Sequence, residues 1–344
     1  MLFEWPGEKL AVKIIETLEK SVGGFLEPWQ IRRIEAARTE ARANELLALE
    51  QARKYAESIR TGDLVFRDNK LIESKNLDAP QDTSVLPARA NPKNAGAQFL
   101  VAHERDVVAQ DLERSINLRK IAIYAEEEAE NAGDQRISDE PVDPDWFARW
   151  RMNAQDVSRE EMQRLWAKVL AGEATKPGTF SVHSLDFLAR MSRKDADLLA
   201  KIAPFVINNN SIFKENFEEI IAANDITMND LIDLEDLGIL NGVVGLGGLT
   251  LNLNVLDAPT EGLVVIHAHK TIVILSKPPA PEAGPLALPV FSLSLVGREV
   301  VSLAEFSSNR DYLLGLAKFA EKNGFTHVQL SGDMQLPKCE ISTL

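Results

Sequence analysis

The sequence holds a single cysteine, Cys339, which excludes an intrachain disulfide and makes a reducing compartment the expected setting. Aromatic residues make up only 6% of the chain, so the core is left to aliphatic packing. No run of 18 apolar residues occurs, and this excludes a transmembrane helix of the usual kind. Basic residues are outnumbered, 38 against 52 acidic. The net charge of −14 argues against broad nonspecific nucleic-acid binding, which needs a basic surface to meet phosphate. Gly-x-Ser-x-Gly and HExxH are missing, and Cys339 sits in a peripheral tail, so no catalytic constellation emerges. The apolar residues of the N-terminus are interrupted by Glu4, Glu8, Lys9, Lys13 and Glu16, which does not fit a secretory leader. A cytoplasmic protein is expected, without cofactor or metal, that is not an enzyme.

What is present is strongest between Ser158 and Phe205. Ser158 with Glu161 reads as a capping box. Met162, Leu165, Trp166, Val169 and Leu170 then share one helical face. Gly172 reads as the C-cap, and Pro177-Gly178 as a turn. A second helix carries Leu185, Leu188 and Met191. Ser192 with Asp195 opens a third, with Leu199, Ile202 and Phe205 on its apolar side. Trp166, Leu170, Gly172, Pro177 and Gly178 are therefore read as a structural hub of core faces and punctuation.

The 344 residues suggest two to three domains. Residues 1–60 are expected to hold an N-terminal amphipathic helix and a long Ala/Glu/Arg-rich helix from Pro28. The two are separated at Gly23-Gly24. In the first helix Leu10, Ile14 and Leu18 repeat every fourth residue, with Trp5 just ahead. That face suits a peripheral contact at the inner membrane, or docking on the protein or on a sister subunit. The long helix has too thin an apolar stripe to stand alone, so it is expected to cross a subunit interface or pack through small Ala faces. Its Arg32-Arg33 pair reads as a solvated helix face.

Residues 61–95, with Pro80, Pro87 and Pro92, read as a linker or insertion. A hairpin is expected between Leu64-Val65-Phe66 and Leu71-Ile72. Residues 96–206 read as a helical core module, in which the acidic run Glu126-Glu127-Glu128 is expected on a solvated face. Residues 207–344 read as a mixed α+β domain. Helical spacing continues from Phe205 through Asn208-Asn209-Asn210 to Ile226. A helix closed by Gly238 and followed by alternating Leu249, Leu251 and Leu253 gives this part a winged-helix-like outline. The fold class expected is thus mainly α over the N-terminal two thirds, with a small α+β winged-helix-like C-terminal part.

Two local patterns invite chemistry. His267-x-His269 would place two imidazoles on one face of a strand, but no third ligand accompanies them, so two polar residues on a strand is the reading kept. The glycines from Gly242 to Gly248 lead into a strand and lack the Gly-Lys-Ser/Thr ending of a phosphate loop. A hairpin or wing is the reading there.

The stretches Glu161-Met162-Gln163, Leu165-Trp166-Ala167, Leu170-Ala171-Gly172-Glu173, Pro177-Gly178 and Phe180-Ser181 resemble a bacterial family named domain of unknown function 2806. So does Pro28-Trp29-Gln30-Ile31-Arg32-Arg33-Ile34. The resemblance spans most of residues 20–206. It continues in outline through the turns Leu237-Gly-Ile-Leu240 and Leu295-Val-Gly-Arg-Glu-Val300, and segment 61–132 departs from the family pattern. It carries no established activity. An LWA-type helix followed by a Pro/Gly turn is also similar to abortive-infection proteins called Abi-alpha, by analogy of fold alone. The expected function is a non-enzymatic helical scaffold or effector that self-associates and acts on a partner or membrane surface in bacterial anti-phage defence. A homo-oligomer and a second protein of a defence operon are the expected partners. A nucleic-acid-binding regulator using the winged-helix-like part is the alternative.

Overall fold

Leu10, Ile14 and Leu18 fall on one side of a helix, α1 (Glu8–Val22), and that side is buried to within 1% of full enclosure. Its contacts are α3 (Pro92–Ala132) and α5 (Glu160–Thr175). Of the covers open to this apolar face, a membrane, a sister subunit or the protein itself, the last is the one found, and Trp5 lies outside the described residues. The computed structural model describes residues 8–22, 38–67, 70–73, 92–132, 137–215, 223–244, 248–257, 262–277, 285–325 and 327–332. The expected break at Gly23-Gly24, the Pro28–Ile34 motif with Arg32-Arg33, and Cys339 lie outside them. The chain divides into two units between Phe180 and Ser181.

In the first unit α2 (Arg38–Thr61) runs beside α3, the packing of small Ala faces expected of so thin a stripe. Ala56 and Ala109 are fully enclosed, and Leu49, Ile116 and Ile123 form an aliphatic cluster between the helices. The predicted hairpin is present as β1 (Leu64–Arg67) and β2 (Lys70–Glu73), with Val65 opposite Ile72. The acidic run on α3 is not a solvated face. Glu126 is buried beside Arg42, at 3.7 Å, and Glu127 pairs with Arg164 at 2.9 Å. α4 (Pro144–Ala154) starts at an Asp143 cap that accepts from the Asp145 and Trp146 amides, each at 2.8 Å. It stacks Phe147 on Trp150 and sets Trp150 edge-on to Trp166 of α5, with the Trp150 indole N–H donating to the Trp166 carbonyl at 3.2 Å.

The second unit begins with α6 (Val182–Arg190) and α7 (Arg193–Ile202). The Ser192–Asp195 capping box forms as predicted. The expected domain boundary at 206/207 falls inside this unit, because α6 packs on α9 (Leu295–Val301). Helix does not continue beyond Phe205. Val206–Ile207 (β3) and Ser211–Phe213 (β4) form a tight hairpin instead. Asn208 and Asn209, in the three-residue loop 208–210 between the paired Ile207 and Ser211, take φ of 48° and 56°, the left-handed conformation that asparagine tolerates.

One sheet follows the order β3–β4–β10–β5, with β6 also pairing with β10. Here β5 is Leu240–Asn241, β6 is Leu249–Leu253 and β10 is Leu286–Leu293. Between β4 and β5 lies α8 (Met228–Asp236), begun by a Thr227–Asp230 capping box. A second sheet has the order β11–β9–β8–β7, all antiparallel. Its strands are β7 (Leu256–Asp257), β8 (Gly262–Ala268), β9 (Thr271–Lys277) and β11 (His327–Gly332). α10 (Arg310–Lys322) brings Tyr312 into the core. The Phe213 amide donates to the enclosed Tyr312 hydroxyl at 2.6 Å, and burial pushes that hydroxyl's pKa far above its ordinary value.

Candidate functional site

The densest motif resolves into a fold-back of the chain onto α5. Trp166 and Leu170 are fully buried on that helix. Its N-cap is Arg159, with no side-chain hydrogen bond, so the Ser158–Glu161 capping box does not form. Gly172 does not cap the helix either, since α5 continues to Thr175 and Lys176 is the C-cap. The reason for glycine is proximity: a Cβ at Gly172 would sit 2.7 Å from the Phe180 ring. Pro177-Gly178 makes the predicted turn, with Gly178 at φ 84°. The turn is held by Glu173, a residue absent from the predicted hub. Its buried carboxylate accepts from the Gly178 amide at 2.7 Å and from the Phe180 amide at 3.0 Å. The Phe180 carbonyl in turn accepts from the Trp146 indole N–H at 2.7 Å. The Glu173 carboxylate and the Trp146 indole N–H are thus engaged within the fold.

The second unit has a parallel arrangement. Glu299 accepts from the Ser181 amide and the Ser184 hydroxyl, each at 2.6 Å. Ser294 caps α9, and its hydroxyl also donates to the Gly238 carbonyl. The turns Leu237–Leu240 and Leu295–Val300 are thereby brought face to face.

The Gly242–Gly248 run is no phosphate loop. Residues 245–247 lie outside the described residues. The amides of Gly242, Val243 and Val244 converge on one carboxylate, Glu235, at 2.7, 3.0 and 3.0 Å. An internal anion thus fills the place a bound one would take. These donors, Val244 foremost, hold the Glu235 carboxyl below the ordinary value of 4.5. A group with a depressed pKa stabilises the fold above its ordinary pKa and loses that contribution as pH falls through the lowered one. The amide proton shifts of Gly242, Val243 and Val244 should therefore titrate together, with a midpoint below 4.5, in a pH series followed by NMR. Independent or absent titration would show that the carboxylate is not their common acceptor.

His267 and His269 do not share a strand face. His267 is an exposed residue of β8, whereas His269 sits in the β8–β9 turn at φ 51° and stacks on Phe306 with ring centroids 4.2 Å apart. Among the described residues no group of three metal-ligating side chains occurs. The two histidines instead border a cavity of about 550 Å³, in the size range of small-molecule sites. The β3–β4 turn forms its opposite side. There the Asn208 amide donates to the His267 carbonyl at 2.6 Å, and the His267 amide donates to Asn208 Oδ1 at 2.8 Å. Val206, Val301 and Phe306 supply apolar surface, and Asn209 and Ser302 complete the lining. Desolvation, helped by Lys270, pushes the His269 pKa below 6.5, so this imidazole is neutral at pH 7. The Asn208-Asn209 pair was a sequence-level hint of the turn that borders this cavity. Asn-Asn between β-forming residues is a turn signal that helical spacing obscures.

The chain matches the family model described as Protein of unknown function (DUF2806) over residues 102–317, and it belongs to that family. The match takes in residues 102–132, part of the segment expected to depart from the family, and most of the C-terminal α+β unit. No curated protein and no solved structure matches the chain. No helix among the described residues is long and apolar enough to cross a membrane.

Proposed function

We propose that this member of the family is a non-enzymatic helical scaffold that works as an assembly of its own copies. One observation carries the reading. The N-terminal half of α3 exposes Phe99 (70%), Leu100 (61%), Val101 (47%), Val107 (42%) and Val108 (43%). Large apolar side chains exposed together along one stretch of helix mark an interaction site. Phe99, Leu100, His103 and Val107 follow one stripe of the helix. Phe99 and Val107 lie four residues either side of His103, so an antiparallel pair of stripes sets each against the other. This is the self-complementarity a two-fold contact requires. A second copy of the chain is accordingly the partner. Leu47 (63%) and Tyr55 (47%) on α2 add apolar surface in the same unit.

Size-exclusion chromatography with light scattering tests this. Wild type should run as a dimer or larger, and Phe99→Glu/Leu100→Glu as a monomer with unchanged helix content. Each copy carries a net charge of −14, so association should tighten as salt rises and screens the repulsion. A wild type that stays monomeric at every salt and protein concentration overturns the proposal.

Bacterial anti-phage defence, with a second protein of the same operon as partner, is the setting suggested by the similarity of the LWA helix and Pro/Gly turn to Abi-alpha proteins. Loss of phage protection with Leu100→Glu would support it.

Nucleic-acid binding is the second reading, favoured by a winged-helix-like order of elements. α7, β4, α8, β5 with β6, and β10 follow in turn, with β10 lying between β4 and β6. Against it, the helix that would enter a groove, α8, carries Asp230, Asp233, Glu235 and Asp236, which repel phosphate. A gel shift that weakens with salt would favour this reading over self-association.

A further inference from the structure

We propose that the cavity between the β3–β4 turn and the β8–β9 turn binds the base of a free nucleoside. Its lining is Val206, Asn208, Asn209, His267, His269, Val301, Ser302 and Phe306, with no carboxylate and no permanent cation among them. No carboxylate lines it to pair with a cationic ligand. No Lys or Arg is among the lining residues, although Lys270 adjoins His269, so no lining side chain supplies a fixed counter-charge to a phosphate. The ligand it fits is uncharged.

It is also flat and rich in hydrogen-bonding groups. The His269 and Phe306 rings stack at 28° and form an aromatic wall. A base can stack on such a wall whatever its identity, because every base has a π-face. The carboxamides stand across from it on the turn. Asn208 Oδ1 is engaged by the His267 amide, which orients the side chain and leaves its NH₂ group to donate. Asn209 is exposed beside it and presents both a donor and an acceptor, the pair by which an amide reads a base edge bidentately. The neutral His269 adds one donor and one acceptor. The two turns are fixed to one another by the Asn208–His267 exchange, and Ser308 Oγ donates to the Ala268 carbonyl at 2.5 Å, so the site is formed before any ligand arrives.

Isothermal titration of the full chain with adenosine, guanosine, cytidine and uridine tests this, with NMR mapping of the amides that shift. At least one nucleoside should bind saturably and move amides of residues 206–209, 266–270 and 301–306. His269→Asn removes the stacking ring and Asn209→Asp removes the donor, and both substitutes tolerate positive φ. Each should weaken binding at least ten-fold while the melting temperature holds. No saturable binding by wild type, shifts confined elsewhere, or undiminished binding by both variants would overturn the proposal. If a variant loses its fold, the wild-type shift map decides. A nucleoside 5′-monophosphate binding ten-fold tighter than its nucleoside would make this a phosphate site and end the uncharged-ligand assignment. A single-stranded oligonucleotide binding tighter than every nucleoside would end the assignment to a free one.

Discussion

Glu173→Ala should lower the stability of the first unit by about 3–5 kcal/mol. The carboxylate is 2% exposed and accepts from two amides, Gly178 at 2.7 Å and Phe180 at 3.0 Å. Hydrogen bonds to a charged acceptor contribute roughly 1.5–3 kcal/mol each, and a buried donor left without a partner costs about 1–3 kcal/mol. The Phe180 amide is enclosed, so water cannot take over. Loosening Phe180 also loosens its carbonyl, the acceptor for the Trp146 indole N–H. All five tryptophans lie at or before Trp166, within the first unit, so denaturation followed by tryptophan fluorescence isolates it. The midpoint should fall, with the slope unchanged. Glu173→Gln keeps one acceptor oxygen and should recover part of the loss. If Glu173→Ala melts with wild type, the carboxylate does not hold the turn.

That residue shows how far the sequence could be read. Leu170-Ala171-Gly172-Glu173 and Pro177-Gly178 were legible as a motif, and the turn is where it was expected, after a helix that runs three residues past its expected end. The direction of the causes was not. Gly172 looks like a helix end because glycine is common there, yet its role is the space taken by Phe180, eight residues on. A contact of that sort has no local signature. The same limit applies to α1, whose every-fourth-residue apolar face is equally consistent with a membrane and with α3 and α5 as its cover. Periodicity states that a face is buried, not what buries it. The hairpin at Asn208-Asn209 was missed for another reason. The flanking apolar residues suit a helix or a buried strand alike, and only the turn chemistry separates the two. The cavity depends on that hairpin meeting the β8–β9 turn about sixty residues later, a pairing set by sheet topology and invisible in local pattern.

Gly297→Ala should be the most damaging single-methyl change in the second unit. A Cβ there would lie 2.3 Å from the Ile239 carbonyl oxygen and 3.2 Å from its carbon. Those are backbone atoms, so no side chain can swing aside. Either α9 or the turn at 238–240 must move. Movement breaks the Ser294 amide's bond to the Ile239 carbonyl at 2.9 Å and the Ser294 hydroxyl's bond to Gly238, the contacts that join the two turns. Overpacking costs about 1–3 kcal/mol by itself. Loss of the Ser294 cap adds about 1 kcal/mol, so about 2–4 kcal/mol is expected. Two other glycines calibrate the result. At Gly172 the obstructing group is the edge of the Phe180 ring, which can shift, and alanine there should cost less. At Gly178 nothing lies within 4 Å, so alanine meets only the left-handed backbone penalty of about 1–2 kcal/mol. Hydrogen exchange at β10 and α9 would read the outcome directly. Unchanged protection in Gly297→Ala would mean that the two turns are not in the contact described, and the placement of Glu299 against Ser181 and Ser184 would then lose its support as well.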